Sequence, residues 1–565
     1  MELSSEKKIA GILTPLSALR REDDLGIGDV AALRDFIDWS RESGFQLVQL
    51  LPINETGGDN SPYNAISAMA IEPTTLELAP GSPEDLTPED FDALTAAAHL
   101  ERLRRGPVRY PRVKRLKRRL LEKAFGHFLA HAAEERRSQF AIFREEEKSW
   151  LDDYTLFRVL MGENRGSEAW DRWAPEHQTI DGARQWLASL RSDRAARLEN
   201  RRLFFAYVQW IARQQWVAVK SYAEERGIAL MGDIPYGVSY YSADVFARPN
   251  EFALDWSGGA PPEPYFKDDE FTQKWGQNWG IPVYRWDVMR SNDFAWWRRR
   301  IDRVKEAFHV FRIDHILGFY RIYAFPWRPK ENQEFLSLEW PQMLERTGGR
   351  APHFTPRDDN AWENAEANRR DGEDYLRAIL QECGATRLVG EDLGTVPDYV
   401  RPSLHSLGIA GFKIPQWEVR HGRLTPGSEY DSLCLATYAT HDHKPVRALW
   451  QESFEEETAA SDQARHDLYL MADFAGFAGL NGQTDYEKDF YPAIMQALFQ
   501  CNAWIAVIMI TDLLMQRERF NVPGTAAETN WTRRLRMTVA RLRSSRHVKE
   551  RTRVIKRLLE TTGRG

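Results

Sequence analysis

Eight short apolar runs, each bounded by turn residues, constrain the fold of this chain more than any other feature of the sequence. They read GILTPL, FQLVQLLP, IALMGDIP, HVFRIDHI, TRLVGEDL, IAGFKIP, SLCLATYATHD and WIAVIMITDLL in chain order. Runs of this length are typical of buried β-strands. Most are followed by a segment with helical spacing, such as VAALRDFIDWSRESG after the first. Eight strands alternating with helices predict an α/β fold of the (β/α)8 TIM-barrel type.

The gaps between the predicted strands are unequal. Residues 1–75 contain the first two runs, and residues 226–565 contain the other six. Between them, residues 76–225 include amphipathic segments such as VKRLKRRLLEKAFGHFLAHAAEERR, which predict a large, mainly helical insertion. Residues 237–290 and 328–372 contain Pro and Gly among aromatic and polar residues. We expect these two segments to be long loop insertions, after the third and fourth strands, that line the active site.

Composition argues against several classes of protein. A chain of 565 residues is too long for one simple core and suits a barrel with insertions. Its net charge of −7 is not typical of a nucleic-acid-binding protein. No run of apolar residues is long enough for a membrane span, and the N-terminus lacks the apolar core of a signal peptide. Cys383, Cys434 and Cys501 fit neither a disulfide framework nor a zinc site. We therefore expect a cytoplasmic protein with no membrane or nucleic-acid partner.

Three of the runs end in a carboxylate: Asp314 in HVFRIDHILGF, Glu391 in TRLVGEDLGTVP and Asp442 in LCLATYATHDHKP. The carboxyl ends of barrel strands open on one face, where catalytic residues lie. Cleavage of a glycosidic bond requires two carboxyl groups there, one ionised and one protonated. Arg312 shares a strand face with Asp314 and favours its ionised form, whereas Asp392 beside Glu391 helps to raise the pKa of Glu391. For each fragment alone, a structural ion pair or a helix-terminal acid is a comparable alternative.

Other polar residues at strand ends carry weaker signals. Asp233 in MGDIP ends the third run, where a turn residue before proline is the structural alternative. Asp442 lies between His441 and His443, but no third ligand with zinc-like spacing is nearby, and hydrogen bonds to sugar hydroxyls explain the group better. The 20 Trp residues suit the apolar faces of sugar rings or a large core. We expect a sugar-binding site with no metal and no cofactor.

The motifs around these residues make the sequence recognisable. SPYNAISA, GDIPYGVSYYSADVFA, GAPPEPYF, GQNWGIPVYRW, RIDHILGF, GEDLGTVP and THD occur in this order, between GILTPLSAL and NVPGTAAETNWTRRL. The chain thereby resembles the 4-α-glucanotransferases (amylomaltases, or disproportionating enzymes) of glycoside hydrolase family 77 in the α-amylase clan. It departs from their pattern at ATHDHKP, at Glu263 in PPEPYF and in the insertion at 328–372. These departures fall on surfaces expected to meet acceptor sugars. The chain begins close to the first predicted strand, so we expect no additional N-terminal starch-binding module.

The resemblance implies a role for individual positions. Asp314 matches the catalytic nucleophile, Glu391 the general acid/base and Asp442 the carboxylate that stabilises the transition state. The positions that match substrate-binding residues are Tyr63, Asp233, Gln277, Trp279, Arg312 and His441. The implied reaction is a retaining transfer of α-1,4-glucan segments between maltooligosaccharides and other α-1,4-glucans. We expect a monomer or a homodimer.

Three alternatives remain at this point. The first is an α-glucan hydrolase that uses the same acids. The second is a glucan-binding protein without activity, which the presence of all three acids disfavours. The third is an unrelated barrel enzyme such as a sugar-phosphate isomerase. No glycine-rich phosphate loop follows the seventh or eighth predicted strand, which disfavours that option.

Overall fold

The computed structural model describes residues 3–263, 269–420, 422–456, 461–523 and 529–565. The β-strands of this part of the chain are β1 (Ile9–Leu13), β2 (Leu47–Gln49), β3 (Ala229–Ile234), β4 (Phe252–Ala260), β5 (Gln277–Tyr284), β6 (Val310–Ile313), β7 (Ile322–Phe325), β8 (His353–Thr355), β9 (Arg387–Gly390), β10 (Gly411–Lys413), β11 (Val419–Arg420), β12 (Arg423–Leu424), β13 (Cys434–Ala436) and β14 (Ile505–Met509).

Eight of these strands form a parallel barrel in the order β10-β13-β14-β1-β2-β3-β6-β9. The barrel closes between β9 and β10 through a parallel bridge of Val389 with Ala410, and the N–H of Gly390 donates to the carbonyl of Ala410 at 2.8 Å. Seven of these strands lie within the predicted apolar runs, and β1 begins two residues before the first run, GILTPL. The predicted (β/α)8 barrel is therefore confirmed.

The barrel strands alternate with helices in most of the connections. The α-helices of the described residues are α1 (Val30–Glu42), α2 (Pro88–Ala98), α3 (Leu100–Arg104), α4 (Tyr110–His131), α5 (Glu134–Glu146), α6 (Lys148–Glu163), α7 (Ile180–Ala188), α8 (Ser192–Glu225), α9 (Ala243–Ala247), α10 (Glu270–Lys274), α11 (Trp286–Ser291), α12 (Ala295–Ala307), α13 (Asn332–Leu336), α14 (Trp340–Arg346), α15 (Trp362–Cys383), α16 (Val400–Ser406), α17 (Val446–Trp450), α18 (Ser461–Phe474), α19 (Tyr491–Gln500), α20 (Ile510–Leu513), α21 (Val539–Ser544) and α22 (Arg546–Thr561). Between β10 and β13 the described residues form the short hairpin β11–β12 instead of an α-helix.

The insertion between β2 and β3 is helical and is anchored to the barrel by a buried lysine. Lys117 of α4 donates to the carbonyls of Thr74 and Leu76 at 2.7 and 2.6 Å and lies 3.4 Å from the carboxylate of Asp29. Asp29 also accepts from the backbone N–H groups of Ala31 and Ala32 and so caps the start of α1. A buried charge is tolerated here because these carbonyls and the carboxylate replace its hydration.

The insertions after the third and fourth barrel strands contain strands as well as loops. Strands β4, β5, β7 and β8 form an antiparallel sheet in the order β5-β4-β7-β8. Gly259 permits the close approach of β4 to β5, because an added Cβ would lie 1.8 Å from the carbonyl oxygen of Gln277. The Gly- and Pro-rich sequence does not show the alternation of a regular strand, which is why these strands were not predicted.

The barrel interior is filled with apolar side chains, and the polar residues of the barrel strands lie at the strand ends. Side chains from all eight barrel strands pack inside it, among them Leu47, Met231, Val310, Phe412 and Val507. The polar strand-end residues therefore meet at one mouth of the barrel, as they do in this fold generally. None of the helices in the described ranges combines the length and hydropathy needed to cross a membrane.

Candidate active site

Asp314 follows β6 directly and is held by the arginine two residues before it. One guanidinium nitrogen of Arg312 donates to Oδ1 of Asp314, and Nε donates to Oδ1 of Asp233 at 2.9 Å. The side chains of Arg312 and Asp233 are only 3% and 1% exposed, whereas that of Asp314 is 33% exposed to the cleft. Arg312 thus orients Asp314 from below and leaves its second oxygen open.

Glu391 follows β9 at the level of Asp314, because Ile313 and Gly390 are register partners in neighbouring parallel strands. The backbone N–H of His315 donates to Oε2 of Glu391 at 2.7 Å. His315 itself has left-handed backbone angles (φ 49°, ψ 54°), an uncommon conformation for a residue with a side chain. The chain therefore turns sharply directly after Asp314, which points the N–H of His315 at Glu391. The backbones of neighbouring strands lie about 4.8 Å apart, so Asp314 and Glu391 begin from adjacent points on the rim of the barrel, as the paired carboxyl groups of a glycosidase require.

The two carboxyl groups have different proton affinities. Burial raises the pKa of Asp314 to about 6, and Arg312 limits the rise. Burial and the neighbouring charge of Asp314 raise the pKa of Glu391 to about 8. Near pH 7 the pair therefore carries one proton, and the arginine beside Asp314 places that proton on Glu391.

Asp442 remains ionised for a different reason. Its Oδ1 accepts from Nδ2 of Asn521 at 2.6 Å, and its Oδ2 lies 3.0 Å from Nε2 of His441. Burial opposes ionisation, but His441 and the hydrogen bonds from His441 and Asn521 outweigh burial and hold the pKa of Asp442 well below its ordinary value. Arg519 donates to the backbone carbonyl of Asp442 and fixes the loop.

Tyr63 contacts residues at the ends of two barrel strands, Asp233 at the end of β3 and His441 after β13. Its hydroxyl donates to Oδ2 of Asp233 at 2.5 Å, and its ring stacks on His441 with centroids 5.0 Å apart and planes at 17°. Trp531 packs against both rings at 5.9 and 5.8 Å. The structure thus brings Tyr63, Asp233 and His441 together around Asp314 and Asp442.

Gln277 and Trp279 lie at the start of β5 and contact each other. The indole N–H of Trp279 donates to Oε1 of Gln277 at 3.2 Å, and the Trp279 ring meets His315 edge to face at 4.7 Å. Trp279 is 39% exposed, which is unusual for so large an apolar side chain. These two predicted positions therefore lie beside Glu391, on the far side of His315.

Most of these residues line one deep cleft of about 2900 Å³, among them Asp314, Glu391, Asp442, Tyr63, Gln277, Trp279 and Arg312. Asp233 and His441 are buried and are not among the described residues that line it. This volume exceeds the few hundred to 1000 Å³ of ordinary small-molecule pockets. An extended ligand suits such a cleft better than a single sugar ring.

Comparison with known proteins identifies the family. The family model for 4-alpha-glucanotransferase, glycoside hydrolase family 77, matches residues 14–538. The chain belongs to this family.

Individual 4-alpha-glucanotransferases are similar over nearly their whole length. The enzyme from Chlamydia caviae is 29% identical over 548 residues, which cover 94% of this chain and 91% of that protein. The enzyme from Thermus thermophilus is 30% identical over 515 residues, which cover 89% and 90%.

Solved amylomaltase structures share the fold of this 4-alpha-glucanotransferase family member. Amylomaltase from Streptococcus agalactiae, in complex with acarbose, superposes with a TM-score of 0.73 at 21% identity and covers 99% of this chain and 100% of that chain. Amylomaltase from Corynebacterium glutamicum gives a TM-score of 0.77 at 20% identity and covers 98% and 76%.

Four residues that contact the predicted site were not identified from the sequence. They are His315, Arg519, Asn521 and Trp531. His315 contributes its backbone, which has no side-chain signal in a sequence. The other three lie beyond the last barrel strand, in the segment NVPGTAAETNWTRRL or just before it. That segment carried the family resemblance, but no strand end marked its residues as catalytic neighbours.

Proposed function

We propose that this chain transfers α-1,4-glucan segments between maltooligosaccharides by retaining double displacement, with Asp314 as nucleophile and Glu391 as general acid/base. The observation that carries the proposal is that the two carboxyl groups have different hydrogen-bond partners and different protonation states. Arg312 bonds to Asp314, and the N–H of His315 bonds to Glu391. One group is ionised and oriented and the other retains a proton, as the reaction requires.

In the first step the open oxygen of Asp314 attacks the anomeric carbon of the donor glucan. Oε2 of Glu391 accepts from His315, so Oε1 carries the proton and donates it to the departing glycosidic oxygen. The carbon–oxygen bond to the leaving segment breaks as the bond to Asp314 forms, which gives a β-linked glucosyl enzyme.

In the second step Glu391, now ionised, removes the proton from the 4-hydroxyl of an acceptor glucan. That hydroxyl oxygen attacks the anomeric carbon, displaces Asp314 and restores the α-linkage. Asp442 accepts hydrogen bonds from sugar hydroxyls that strengthen as the oxocarbenium-like transition state forms. Because these bonds are stronger in the transition state than in the ground state, they lower the barrier.

Transfer is faster than hydrolysis only where the acceptor hydroxyl is positioned better than water to attack the glucosyl enzyme. The deep cleft and the exposed indole of Trp279 support binding of acceptor sugars beside Glu391. We assign Tyr63, Asp233, Gln277, Arg312 and His441 to the binding and orientation of the sugar at the cleavage point. As further parts of the proposal, the enzyme acts in the cytoplasm, where its buried free thiols stay reduced, and it is a monomer or a homodimer.

The product profile from maltotriose tests the function. A transferase converts maltotriose into glucose and longer oligomers without increasing the number of reducing ends, and added glucose redirects the products. A steady rise in reducing ends would instead indicate an α-glucan hydrolase, and binding without turnover would indicate an inactive glucan-binding protein. The Asp314→Ala variant should release no glucose while it retains the wild-type circular dichroism spectrum. Unchanged glucose release would remove Asp314 as the nucleophile.

A further inference from the structure

We propose that Tyr323 and Phe354 form a binding platform for the second and later sugars of the acceptor glucan. The proposal rests on the transferase function above and specifies its acceptor: a linear α-1,4-glucan of two or more residues. Both aromatic residues line the cleft. Both follow the fourth barrel strand, β6, and Phe354 lies within the segment 328–372, where this chain departs from the family pattern.

The antiparallel sheet places the two rings side by side. Tyr323 of β7 and Phe354 of β8 are register partners, so their side chains project from the same face. Their ring centroids are 5.2 Å apart and their planes are inclined at 74°. On that face both side chains are half-buried, whereas Ile322 and Ala324 are buried on the opposite face. A half-buried aromatic pair at the wall of the cleft offers the apolar surface that the C–H face of a sugar ring needs.

Phe354 is fixed in place before any ligand binds. The guanidinium carbon of Arg321 lies 3.5 Å from the centre of the Phe354 ring and covers one of its faces. Arg321 is in turn ion-paired with Asp359, which accepts hydrogen bonds from Asn368 at 2.9 Å and Tyr399 at 3.1 Å. The open face of Phe354 is therefore held rigidly, so sugar binding costs little side-chain entropy.

The platform lies on the acceptor side of the cleavage point. Glu391 protonates the departing oxygen, so the leaving segment, and later the acceptor, occupies the cleft on the Glu391 side. Arg321, beneath Phe354, lines the cleft together with His315 and Glu391. His315 also contacts Glu391 and Trp279. We therefore assign Trp279 to the first acceptor sugar and the platform to the sugars beyond it.

Tyr323 offers a polar contact as well as a ring. Within the described part of the chain its hydroxyl has no hydrogen-bond partner, and it is not shielded from solvent. A hydroxyl of the second acceptor sugar can pair with it. Glucose, which fills only the first acceptor position, reaches neither ring, whereas maltotriose covers both.

The test measures the incorporation of isotope-labelled glucose and labelled maltotriose into products from an amylose donor. For Phe354→Ala and Tyr323→Ala we expect KM for maltotriose to rise about tenfold, the loss of one good aromatic contact. KM for glucose and kcat should stay within about twofold of wild type. Tyr323→Phe, which loses only the hydroxyl, should show a smaller rise for maltotriose.

Trp256→Ala is the matched control. Trp256 belongs to the same sheet and meets His353 edge to face at 4.9 Å, but it is not among the described residues that line the cleft. Both acceptors should bind this variant as they bind wild type. An intact glucose KM in the platform variants also shows that they are folded.

Equal changes for glucose and maltotriose, or no change for either, would overturn the platform. Wild-type enzyme that cleaves amylose but incorporates neither label would overturn the transferase function and the platform with it. Incorporation of labelled glucose by the wild-type enzyme therefore distinguishes a failure of the platform alone from a failure of the transferase function.

Discussion

The backbone N–H of His315, the residue after Asp314, donates a hydrogen bond of 2.7 Å to Oε2 of Glu391. The turn that carries the nucleophile therefore also orients the acid. Because the donor is a backbone group, no side-chain substitution at His315 removes this bond directly. The separation of the two carboxyl groups depends on the backbone of barrel strands β6 and β9, which are paired in register.

The first prediction concerns the pH dependence of transfer. Activity requires Asp314 ionised and Glu391 protonated, and their pKa values are raised to about 6 and about 8. We expect kcat/KM for maltotriose to follow a bell-shaped profile with a maximum between these values. In Glu391→Gln the alkaline limb should disappear from the residual activity. A wild-type profile that is flat from pH 5 to 9 would contradict this assignment of protons.

The second prediction concerns stability. The folded protein holds the proton of Glu391 up to about pH 8, whereas an unfolded glutamate loses it near its ordinary pKa of 4.5. Between these values the folded state binds more protons, so this group's contribution to the free energy of unfolding falls as pH rises. Glu391→Gln removes that loss and should unfold at a higher temperature than wild type at pH 8.

Calorimetry at pH 4 and pH 8 measures the difference. The gain in melting temperature should be near zero at pH 4 and several degrees at pH 8. Glu345→Gln, at an exposed position of α14, is the control and should behave as wild type at both values. A gain that is equal at the two pH values would show that Glu391 does not carry the buried proton.

The agreement between sequence and structure is greatest in the barrel. Short apolar runs such as those of β6 and β14 are unambiguous because both faces of a barrel strand are buried, so hydrophobicity alone marks them. Strand ends then located Asp314, Glu391 and Asp442. The strands of the β5-β4-β7-β8 sheet gave no such signal, since their pairing depends on Gly259 and on partners distant in the chain.

Contacts between distant segments could not be predicted from the sequence either. Asn521 and Asp442 are separated by 79 positions, and Tyr63 and Asp233 by 170. No periodicity links such pairs, because tertiary folding alone brings them together. The resemblance supplied Tyr63 and Asp233 as positions but not the hydrogen bond between them.

The third prediction concerns Asn521. Asn521→Ala removes one donor from the ionised carboxylate of Asp442, and a hydrogen bond to a charged group is worth about 1.5–3 kcal/mol. We expect kcat to fall between about tenfold and a hundredfold with a smaller change in KM. Asn521→Asp, which places a second carboxylate beside Asp442, should lose more. Asn481→Ala, in an exposed turn, should leave both constants unchanged. A purely KM effect in Asn521→Ala would contradict a role in the transition state.

The fourth prediction separates the two contacts of Tyr63. Tyr63→Phe loses the hydrogen bond to Asp233 but retains the stacking on His441, whereas Tyr63→Ala loses both. We expect kcat/KM to fall between about tenfold and a hundredfold in the first variant, the value of one hydrogen bond to a charged group, and by a further factor of about ten in the second. Steady-state kinetics with maltotriose measures both. Equal losses would mean that the stacking contributes nothing.

The covalent intermediate on Asp314 provides the most direct test. The Glu391→Gln variant, supplied with α-glucosyl fluoride, needs no acid to expel fluoride, but it lacks the base that activates an acceptor. The glucosyl enzyme should therefore accumulate. Mass spectrometry of the acid-quenched, digested protein should find one added glucosyl unit on the peptide that contains Asp314, and none in Glu391→Gln that also carries Asp314→Ala. A glucosyl unit on another residue, or fluoride release without any labelled peptide, would contradict double displacement at Asp314.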